Sequence, residues 1–428
     1  MKFFVVNFGC KVNTYESTYF EEKLLSDGYL KSASLSDADI IIVNTCSVTN
    51  TADSKCKKEL RRIKRENPNA IIVATGCSVQ NNFDEYKSLG IDILVGNFFK
   101  SKIPNLIEEY KNNKNKVELY ESNRKQLFDN MFLDKFQSHT RAFIKVQDGC
   151  DNFCSYCVIP LVRGSIRSKD FNECVKEAKE LAKNGHKEIV LVGIHTGSYN
   201  FEGKDLVDLI NEISKIDEIK RIRISSIEIT ELDEKFMEML KNNQKVVNHL
   251  HIPLQTGNDY MLKIMNRKYD TKYFEDTINK IRSIRPKIKI TTDVIVGHPY
   301  ETDELFNETA AFCEKIGFGK IHVFPYSPRK NTKAASMPNQ VKDEEKKKRA
   351  LQLIRISDIL SCVYEKNFIN QEMQIITETN HQGKTVGFTD NYIKVQLDDN
   401  LPPNEIVFVT LIEKQDDYVK GKIIKKGE

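Results

Sequence analysis

Residues 148–157 read DGCDNFCSYC and place three cysteines, Cys150, Cys154 and Cys157, within eight positions. We call these cysteines the loop trio. The apolar run RAFIKVQ (141–147) comes directly before the stretch and is typical of a buried strand. In folds built of repeated strand–helix units, the chemistry lies at the carboxyl ends of the strands. The position of the loop trio therefore predicts that the first strand of such a series leads into the active site.

The chain continues from this loop as a series of apolar runs and helical stretches. The predicted strands are 141–147, 188–193, 221–226, 249–254, 289–297 and 320–326. Helical patterns separate them, for example at 172–185 and 304–317, and a charged helix follows from residue 341. Six such units in about 190 residues predict a partial (β/α)6 barrel rather than a second open sheet.

The first hundred residues form a separate strand–helix series. Apolar runs at 3–9, 40–45, 71–76 and 93–96 predict an open parallel sheet covered on both faces. Cys10, Cys46 and Cys77 follow directly after the first three of these runs, and we call them the sheet trio. Because ligands of open parallel sheets gather at the carboxyl ends of the strands, the sheet trio predicts a shared metal site. The alternative is three unrelated small buried residues.

The remaining segments complete an α/β chain of three domains. Residues 111–140 are rich in Asn and Lys without clear periodicity, which indicates a linker. Short strands broken by Gly, Pro and Asn predict a small β-barrel at the carboxyl terminus, where Phe388 and Tyr392 are candidate RNA contacts. The expected boundaries are 1–112, a linker at 113–138, then 139–365 and 366–428.

Composition limits the class of protein. The chain has 428 residues, 40% hydrophobic and 29% charged, with a net charge of +4. Its apolar runs are too short for a membrane span, and the amino terminus lacks the long apolar region of a signal peptide. We therefore expect a cytoplasmic protein with no membrane partner. In a reducing compartment, its ten cysteines are more readily metal ligands, catalytic groups or core residues than disulfides.

Three thiolates suit an iron–sulfur cluster better than zinc. Structural zinc takes four ligands, and the next cysteine, Cys174, lies on a predicted helix where we expect it in the core. A cubane cluster takes one thiolate for each iron, so three thiolates leave one iron open. S-adenosylmethionine (SAM) can chelate such an iron through its amino and carboxylate groups. The C-x3-C-x2-C spacing, with Tyr156 before the last cysteine, resembles the radical-SAM superfamily.

Further motifs make this resemblance more specific. FGCKVNTYES, NTCSVTNTAD and ATGC resemble the amino-terminal domain of radical-SAM methylthiotransferases, and QDGCDNFCSYCVIPLVRGSIRS resembles their cluster loop. LVGIHTGSY, RISSIE, HIPLQTGND and DVIVGHPYETDE fit the rest of the catalytic domain, and the terminal module resembles a TRAM domain. The resemblance implies two [4Fe-4S] clusters, one held by each trio. It also implies two roles for SAM, as methyl donor and as radical source.

The motif GCKVN resembles the type that adds a methylthio group to carbon 2 of N6-threonylcarbamoyladenosine at position 37 of tRNA. Relatives that modify isopentenyladenosine typically read GCQMN, and those that modify a ribosomal-protein aspartate read GCPKN. Both substrates stay open as alternatives. A non-enzymatic iron–sulfur RNA-binding redox sensor is an alternative of another class, although a structural cluster gains nothing from an open iron.

The resemblance also implies partners. The substrate would be the anticodon loop of tRNA, whose bases can leave the stack more easily than those of a duplex. Reduction of the clusters would need an electron donor such as flavodoxin or ferredoxin. The inserted sulfur would need a sulfur donor.

Two glycines and two arginines near the predicted strand ends are further candidates. Gly193 and Gly197 are expected to let the backbone approach SAM closely. Arg163 and Arg167 follow the loop trio. They are either structural ion-pair partners or contacts to the RNA or to the SAM carboxylate.

Histidines and a basic helix complete the candidates. His195, His249 and His251 lie at or near strand ends, where hydrogen-bonded wall positions are favoured over direct catalysis. The helical stretch 54–65 carries seven basic residues and one Glu, so it is either a solvated face or a phosphate-contacting surface. Cys56 within it does not follow a strand and is expected not to be a ligand.

Overall fold

The computed structural model describes residues 1–47, 49–136, 140–378 and 383–426. Residues 137 and 138, at the end of the predicted linker, and the final two residues lie outside this description. No disulfide joins the ten cysteines, all of which lie in the described part of the chain. Within those ranges no helix is both long enough and apolar enough to span a membrane.

The amino-terminal domain is a six-stranded parallel sheet in the order β2-β1-β3-β4-β5-β6. Ile40 and Ile42 of its central strand belong to one hydrophobic core, whereas Ile41 and Val43 belong to another. The sheet is therefore covered on both faces, as the apolar runs predict. Its elements are β1 Lys2–Asn7, α1 Lys11–Ser26, β2 Leu30–Lys31, β3 Ile40–Thr45, α2 Asn50–Glu66, β4 Ile71–Gly76, α3 Cys77–Asn81, α4 Phe83–Lys87, β5 Ile93–Val95, α5 Ile103–Asn113 and β6 Val117–Leu119.

The central domain is a partial barrel of six parallel strands. Two three-stranded sheets, β7-β10-β13 and β14-β15-β16, meet through a parallel bridge between Ile222 and Val246. The elements are β7 Ala142–Lys145, β8 Gln147–Asp148, α6 Ile159–Arg163, β9 Arg167–Ser168, α7 Phe171–Lys183, β10 Glu188–Val192, β11 Asn200–Phe201, β12 Lys204–Asp205, α8 Leu206–Ile213, β13 Arg221–Ile224, α9 Glu234–Asn242, β14 His249–His251, α10 Asp259–Ile264, α11 Thr271–Ile284, β15 Lys289–Val296, α12 Asp303–Ile316, β16 Lys320–Pro325 and α13 Asp343–Lys366. The six predicted strands and the partial barrel are confirmed.

The two faces of the barrel strands differ in chemistry. Ile222, Leu250 and Ile290 face the helices and belong to the main hydrophobic core. The alternate positions on the same strands carry polar residues, among them Arg223 and His251. Since successive side chains of a strand point to opposite faces, these polar residues line the concave side. We call that concave side the barrel lumen.

The segment between the first two domains packs against both of them. Its β6 strand extends the amino-terminal sheet beyond β5, although residues 117–119 fall inside the predicted linker. Met131, Leu133 and Phe136 are buried in the main core. The hydroxyl of Tyr15 on α1 donates to the Met131 carbonyl at 2.7 Å. The linker therefore joins the two domains into one packed unit, while the exact domain boundaries stay a prediction.

The carboxyl-terminal domain is a closed five-stranded barrel, as predicted, in the order β17-β18-β19-β21-β20. Its strands are β17 Glu372–Thr377, β18 Thr385–Thr389, β19 Lys394–Leu397, β20 Ile406–Lys414 and β21 Val419–Lys426. It docks on the amino ends of the central strands. Arg221 donates to the carbonyls of Phe388 and Gln374, each at 2.8 Å, and Asn248 donates to the Asp390 carboxylate at 2.7 Å.

Aromatic rings close this docking surface. Phe388 and Tyr392 stack with ring centroids 4.9 Å apart, and Tyr392 also stacks on His249 at 5.1 Å. The guanidinium of Arg141 lies over both rings, and its Nη1 donates to the Tyr392 hydroxyl at 2.9 Å. These rings, which the sequence offers as RNA contacts, instead serve the interface between domains. They close the barrel lumen at the amino ends of its strands.

Candidate functional site

The loop trio lies at the carboxyl end of the first barrel strand, as predicted. Cys154 is buried, whereas Cys150 and Cys157 are partly exposed. Burial raises the pKa of the Cys157 thiol to about 12, and nearby Cys154 and Cys150 add to the rise. The negative charges of three thiolates would thus repel each other here, and a bound cation would relieve that repulsion.

Neighbouring side chains hold this loop in place. Gln147 Nε2 donates to the carbonyls of Asp148 and Gly149, while its Oε1 accepts from the backbone N–H of His195 at 2.8 Å. The Ser155 hydroxyl and His298 Nε2 lie 3.1 Å apart in a buried hydrogen bond. The loop is therefore tied both to the end of β10 and to the segment after β15.

Two side chains, Arg267 and His195, contact the thiols of the loop trio. Arg267 Nη1 donates to Cys154 Sγ at 3.2 Å, and its other nitrogens contact Glu228 and Tyr269. His195 Nδ1 lies 3.9 Å from Cys150 Sγ. Burial alone would lower the pKa of His195, but Cys150 and Glu231 outweigh it and raise that pKa to about 10. His195 is therefore a contact of the loop trio and not merely a wall residue.

The sheet trio lies at the carboxyl ends of β1, β3 and β4. Cys46 and Cys77 are buried, and Cys10 keeps exposed surface. A Cβ on Gly9 would meet Cys46 Sγ at 2.8 Å, so the chain beside Cys10 passes directly over Cys46. Gly9 has φ +105°, a backbone conformation that favours glycine. The sheet trio is thus gathered at one sheet edge, as the strand pattern predicts.

Cys56 lies close to the sheet trio, and the structure agrees with its expected role outside the ligand set. It is fully buried, and its thiol contacts the backbone N–H and carbonyl of Cys46 at 3.5 and 3.7 Å. Burial raises the pKa of the Cys56 thiol to about 11. It packs as a neutral thiol behind Cys46. Cys174, expected in the core, is also fully buried.

Arg163 connects the two trios. It ends α6, the short helix directly after the loop trio, and its side chain is fully buried. Its Nε donates to Cys77 Sγ at 3.3 Å, and its Nη2 donates to Asn13 Oδ1 at 2.7 Å. Cys77 also packs against Val158 and Val162 of the same segment. The two trios are therefore parts of one site at the junction of the two sheets.

A buried charge network surrounds Arg163. The Glu16 carboxylate contacts Arg163, Lys100 and Lys145, and the Asp148 carboxylate contacts Arg163, Lys145 and Arg167. Burial alone would raise the pKa of Glu16, but Arg163, Lys100 and Lys145 lower it below its usual range. Asp148 is likewise depressed by Lys145, Arg163 and Arg167. Of the two interpretations of Arg163 and Arg167, the structure agrees with buried ion-pair partners.

The chemistry of this donor set fits a thiolate-ligated cluster. Four basic side chains contact only two carboxylates in the network, and this excess of basic groups extends through Arg163 to Cys77. Ionised thiolates would neutralise that excess. Among the described residues no group of three or more His, Cys, Asp or Glu forms a site for a single metal ion. A cubane cluster instead spreads its ligands over separate iron atoms.

The two candidate glycines, Gly193 and Gly197, each lie in close contact with a polar side chain of the protein. A Cβ on Gly197 would meet Glu231 Oε2 at 1.9 Å, and one on Gly193 would meet Gln147 Oε1 at 3.0 Å. Their small size lets Glu231 and Gln147 approach the backbone near the loop trio. Their role in binding SAM stays a prediction, as does that of Tyr156, whose ring meets His298 edge-on at 6.4 Å.

His249 and His251 are wall residues of the barrel lumen. The Thr291 hydroxyl lies 3.0 Å from a ring nitrogen of each. His251 Nε2 lies 3.2 Å from the Asp293 carboxylate. Burial and nearby Arg223 hold the pKa of His249 well below its usual range, so this ring is neutral. The hydrogen-bonded wall position that the sequence favours thus describes both side chains.

The basic helix 54–65 lies within α2, and most of its cations have protein partners. Arg62 pairs with Glu59 and Glu66, Lys57 pairs with Glu85, and Lys64 donates to the carbonyls of Leu89 and Gly90. These contacts favour the interpretation of a solvated face held by local ion pairs. Contact with phosphates stays a prediction.

Several functional side chains have no signal in the sequence pattern. Asn13 and Glu16 on α1 and Asp148 before the loop trio join the trios through Arg163, although the two segments lie far apart in the chain. Arg267 contacts Cys154 from a loop after α10. Asn13, Glu16 and Asp148 all lie inside motifs that carry cysteines, which is the one hint that neighbouring polar residues also belong to the site.

Comparison with known proteins agrees with this architecture. A family model described as the Radical SAM superfamily matches residues 144–313, and one described as Uncharacterized protein family UPF0004 matches residues 2–96. Among solved structures, the radical S-adenosylmethionine methyltransferase TsrM from Kitasatospora setae is similar, with a TM-score of 0.56 and 14% identity, over 76% of each chain. The cobalamin-dependent enzyme OxsB has a TM-score of 0.52 at 13% identity, over 83% of this chain and 56% of its own. These structures show the fold.

Sequence relatives are more specific. The threonylcarbamoyladenosine tRNA methylthiotransferase MtaB of Bacillus subtilis is 39% identical over 98% of this chain and 93% of its own. That of Thermotoga maritima is 36% identical over 99% of both chains. The tRNA-2-methylthio-N(6)-dimethylallyladenosine synthase of Natranaerobius thermophilus is 35% identical over 88% of this chain and 86% of its own. At this similarity over nearly the whole length, the chain belongs to the radical-SAM tRNA methylthiotransferase family.

Proposed function

We propose that this protein adds a methylthio group to carbon 2 of N6-threonylcarbamoyladenosine at position 37 of tRNA. The observation that carries the proposal is the link between the two trios through Arg163. A methylthiotransferase must bring a sulfur site and a radical source to one base. The full-length similarity to the MtaB enzymes supports the choice of base.

The residues of the two trios would hold the cofactors. Cys150, Cys154 and Cys157 would bind one [4Fe-4S] cluster, and the sheet trio would bind the second. When bound, the clusters and two molecules of SAM supply the one-electron and methyl-transfer chemistry. The electrons would come from a donor such as flavodoxin or ferredoxin, and the sulfur from a separate donor.

The protein's own groups position this chemistry. Gln147 and His298 fix the cluster loop against the ends of β10 and β15. Arg163 and Arg267 each place a guanidinium against a thiol, which stabilises the thiolate form that a cluster requires. The buried network around Glu16 joins the amino-terminal domain to the barrel, because Glu16 pairs with Lys145 and Arg163.

The test compares two substrates. Anaerobically reconstituted protein is incubated with SAM, a reductant and either of two tRNAs, one carrying threonylcarbamoyladenosine and the other dimethylallyladenosine. Nucleoside mass spectrometry should detect the methylthio product from the first tRNA only. Equal product from the second tRNA would overturn the choice of base, and absence of 5′-deoxyadenosine would favour a redox sensor instead.

A further inference from the structure

The barrel lumen holds polar groups that the mechanism above does not use. Arg223 is 2% exposed and pairs with Glu188 at 2.7 Å, yet its Nη1 has no hydrogen-bond partner among the described residues. His249 is 7% exposed, and its Nδ1 is also unpaired there. Burying an unpaired polar atom is costly, so a ligand or an ordered water that enters this chamber would complete the hydrogen bonds of both nitrogens.

Lys11 directly follows Cys10 and begins α1, so it lies at the same strand ends as the sheet trio. Its side chain is exposed, and no ion pair or hydrogen bond of its ammonium occurs within the described ranges. Arg163 joins those strand ends to the carboxyl end of the first barrel strand, and the charges of Arg223, Arg141 and Asp293 in the barrel act on Lys11 from nearby. The Asp293 carboxylate is already held by His251 at 3.2 Å. The ammonium is therefore available to an incoming anion.

Because Lys11 directly follows Cys10, an anion bound to Lys11 would lie near the sheet trio. The carbon that receives the sulfur must come close to the sheet trio. Carbon 2 and carbon 6 of adenine flank the ring nitrogen N1, and N6 is bonded to carbon 6, so a substituent on N6 that turns towards N1 lies near the reacting carbon. The threonylcarbamoyl group carries a carboxylate there, whereas a dimethylallyl group carries no charge.

We propose that Lys11 and Arg223 bind the carboxylate of the threonylcarbamoyl group and thereby set the choice of base. This inference rests on the proposed function. Charge-assisted hydrogen bonds of this kind correspond to roughly tenfold to a hundredfold in affinity. Arg223 supplies a planar donor, and Lys11 supplies a mobile one.

The test uses two anticodon stem-loop RNAs that differ in one group. One carries threonylcarbamoyladenosine, and the other carries the same base with the threonine carboxylate converted to a primary amide. Reconstituted protein is assayed for kcat/KM of methylthiolation and, without SAM, for RNA binding by fluorescence anisotropy. Wild type should prefer the acid by roughly tenfold to a hundredfold in both measurements.

Variants of Lys11 should change this preference in a graded order. Lys11→Arg should keep it, Lys11→Gln should remove most of it, and Lys11→Glu should favour the amide. Lys241→Gln, an exposed lysine on the outer helix α9, is the matched control and should behave like wild type. Iron content, measured on each variant, reports on the cluster beside Cys10. Arg223→Gln, which removes the second positive charge, should lower the same preference.

Two results would overturn the inference. One is an equal loss on the acid and amide RNAs, which would assign Lys11 to the phosphate backbone or to structure. The other is an unchanged preference in Lys11→Glu and Arg223→Gln. If wild type fails to methylthiolate the acid RNA at all but acts on dimethylallyladenosine, the proposed function fails instead.

Discussion

Replacing Arg163 by methionine should destabilise the protein strongly even without clusters. The side chain is fully buried and makes hydrogen bonds to Glu16 at 3.1 Å, Asp148 at 3.2 Å and Asn13 at 2.7 Å. Each bond to a carboxylate contributes about 1.5–3 kcal/mol, and removing one partner of a buried ion pair costs about 3–5 kcal/mol. Because three other cations remain near the carboxylates, we expect a loss of about 3–5 kcal/mol and not the sum of all contacts.

A second substitution separates charge from geometry. Arg163→Lys keeps the positive charge, but one ammonium does not reach Cys77, Asn13 and both carboxylates together. One or two buried partners then lose their hydrogen bonds, which costs roughly 1–3 kcal/mol. The order of stability should be wild type, Arg163→Lys, Arg163→Met.

The measurement is urea unfolding of the cluster-free protein followed by circular dichroism. With an unchanged slope, the shift of the midpoint gives the change in unfolding free energy. Lys272→Met is the control, because its ion pair with Asp276 is exposed and should contribute less than about 1 kcal/mol. A change in Arg163→Met as small as in this control would refute the argument that Arg163 joins the two domains.

Four further outcomes are expected. Cys154→Ala should abolish SAM cleavage, whereas Cys46→Ala should keep some cleavage but yield no methylthio product; product from the Cys46 variant would contradict the second cluster site. Reconstituted protein should bind about eight iron, four for each cubane cluster, and about four iron with an alkylated sheet trio would refute this. Burial lowers the pKa of His298 from 6.5 to about 4, so the folded state binds fewer protons than the unfolded state between these values. Stability is then fully present above pH 6.5 and decreases by up to about 3 kcal/mol towards pH 4, and His298→Gln should flatten that curve if the argument holds. Neutralising the exposed Lys55 and Lys58 should lower the log–log salt slope of tRNA binding by about 0.7–0.9 each, and an unchanged slope returns α2 to a solvated face.

The strands and the trios were predictable because their signals are local. Buried parallel strands are continuous apolar runs, and the predicted bounds of β3 and β4, 40–45 and 71–76, match the structure. A cysteine directly after such a run must lie at the sheet edge, so Cys46 and Cys77 could be placed without further information. The strand at 117–119 was missed because VEL is short and only partly buried, a weak pattern for an edge strand.

The charge network and the domain docking could not be read from the sequence. Glu16 lies in the motif FGCKVNTYES on a helix whose periodicity marks it only as a polar position, yet its side chain is fully buried. Its partners Lys100 and Lys145 come from two other elements and meet it only in the folded chain. Tyr392 likewise stands in a strand turn, and its place beneath His249 depends on how two domains pack. Such contacts depend on tertiary structure, which composition and periodicity do not encode.

The closed floor of the barrel lumen strengthens the argument for recognition by charge. Tyr392 and Phe388 pack at the amino ends of the strands, whereas both trios lie at the carboxyl ends, so the proposed function has the base enter from the carboxyl ends. Inside such a chamber, an ion pair is stronger than in bulk water because less solvent screens it. A carboxylate would satisfy the unpaired nitrogens of Arg223 and His249, whereas an uncharged dimethylallyl group would leave them buried without partners. Discrimination would then come as much from that penalty on the wrong base as from attraction to the right one.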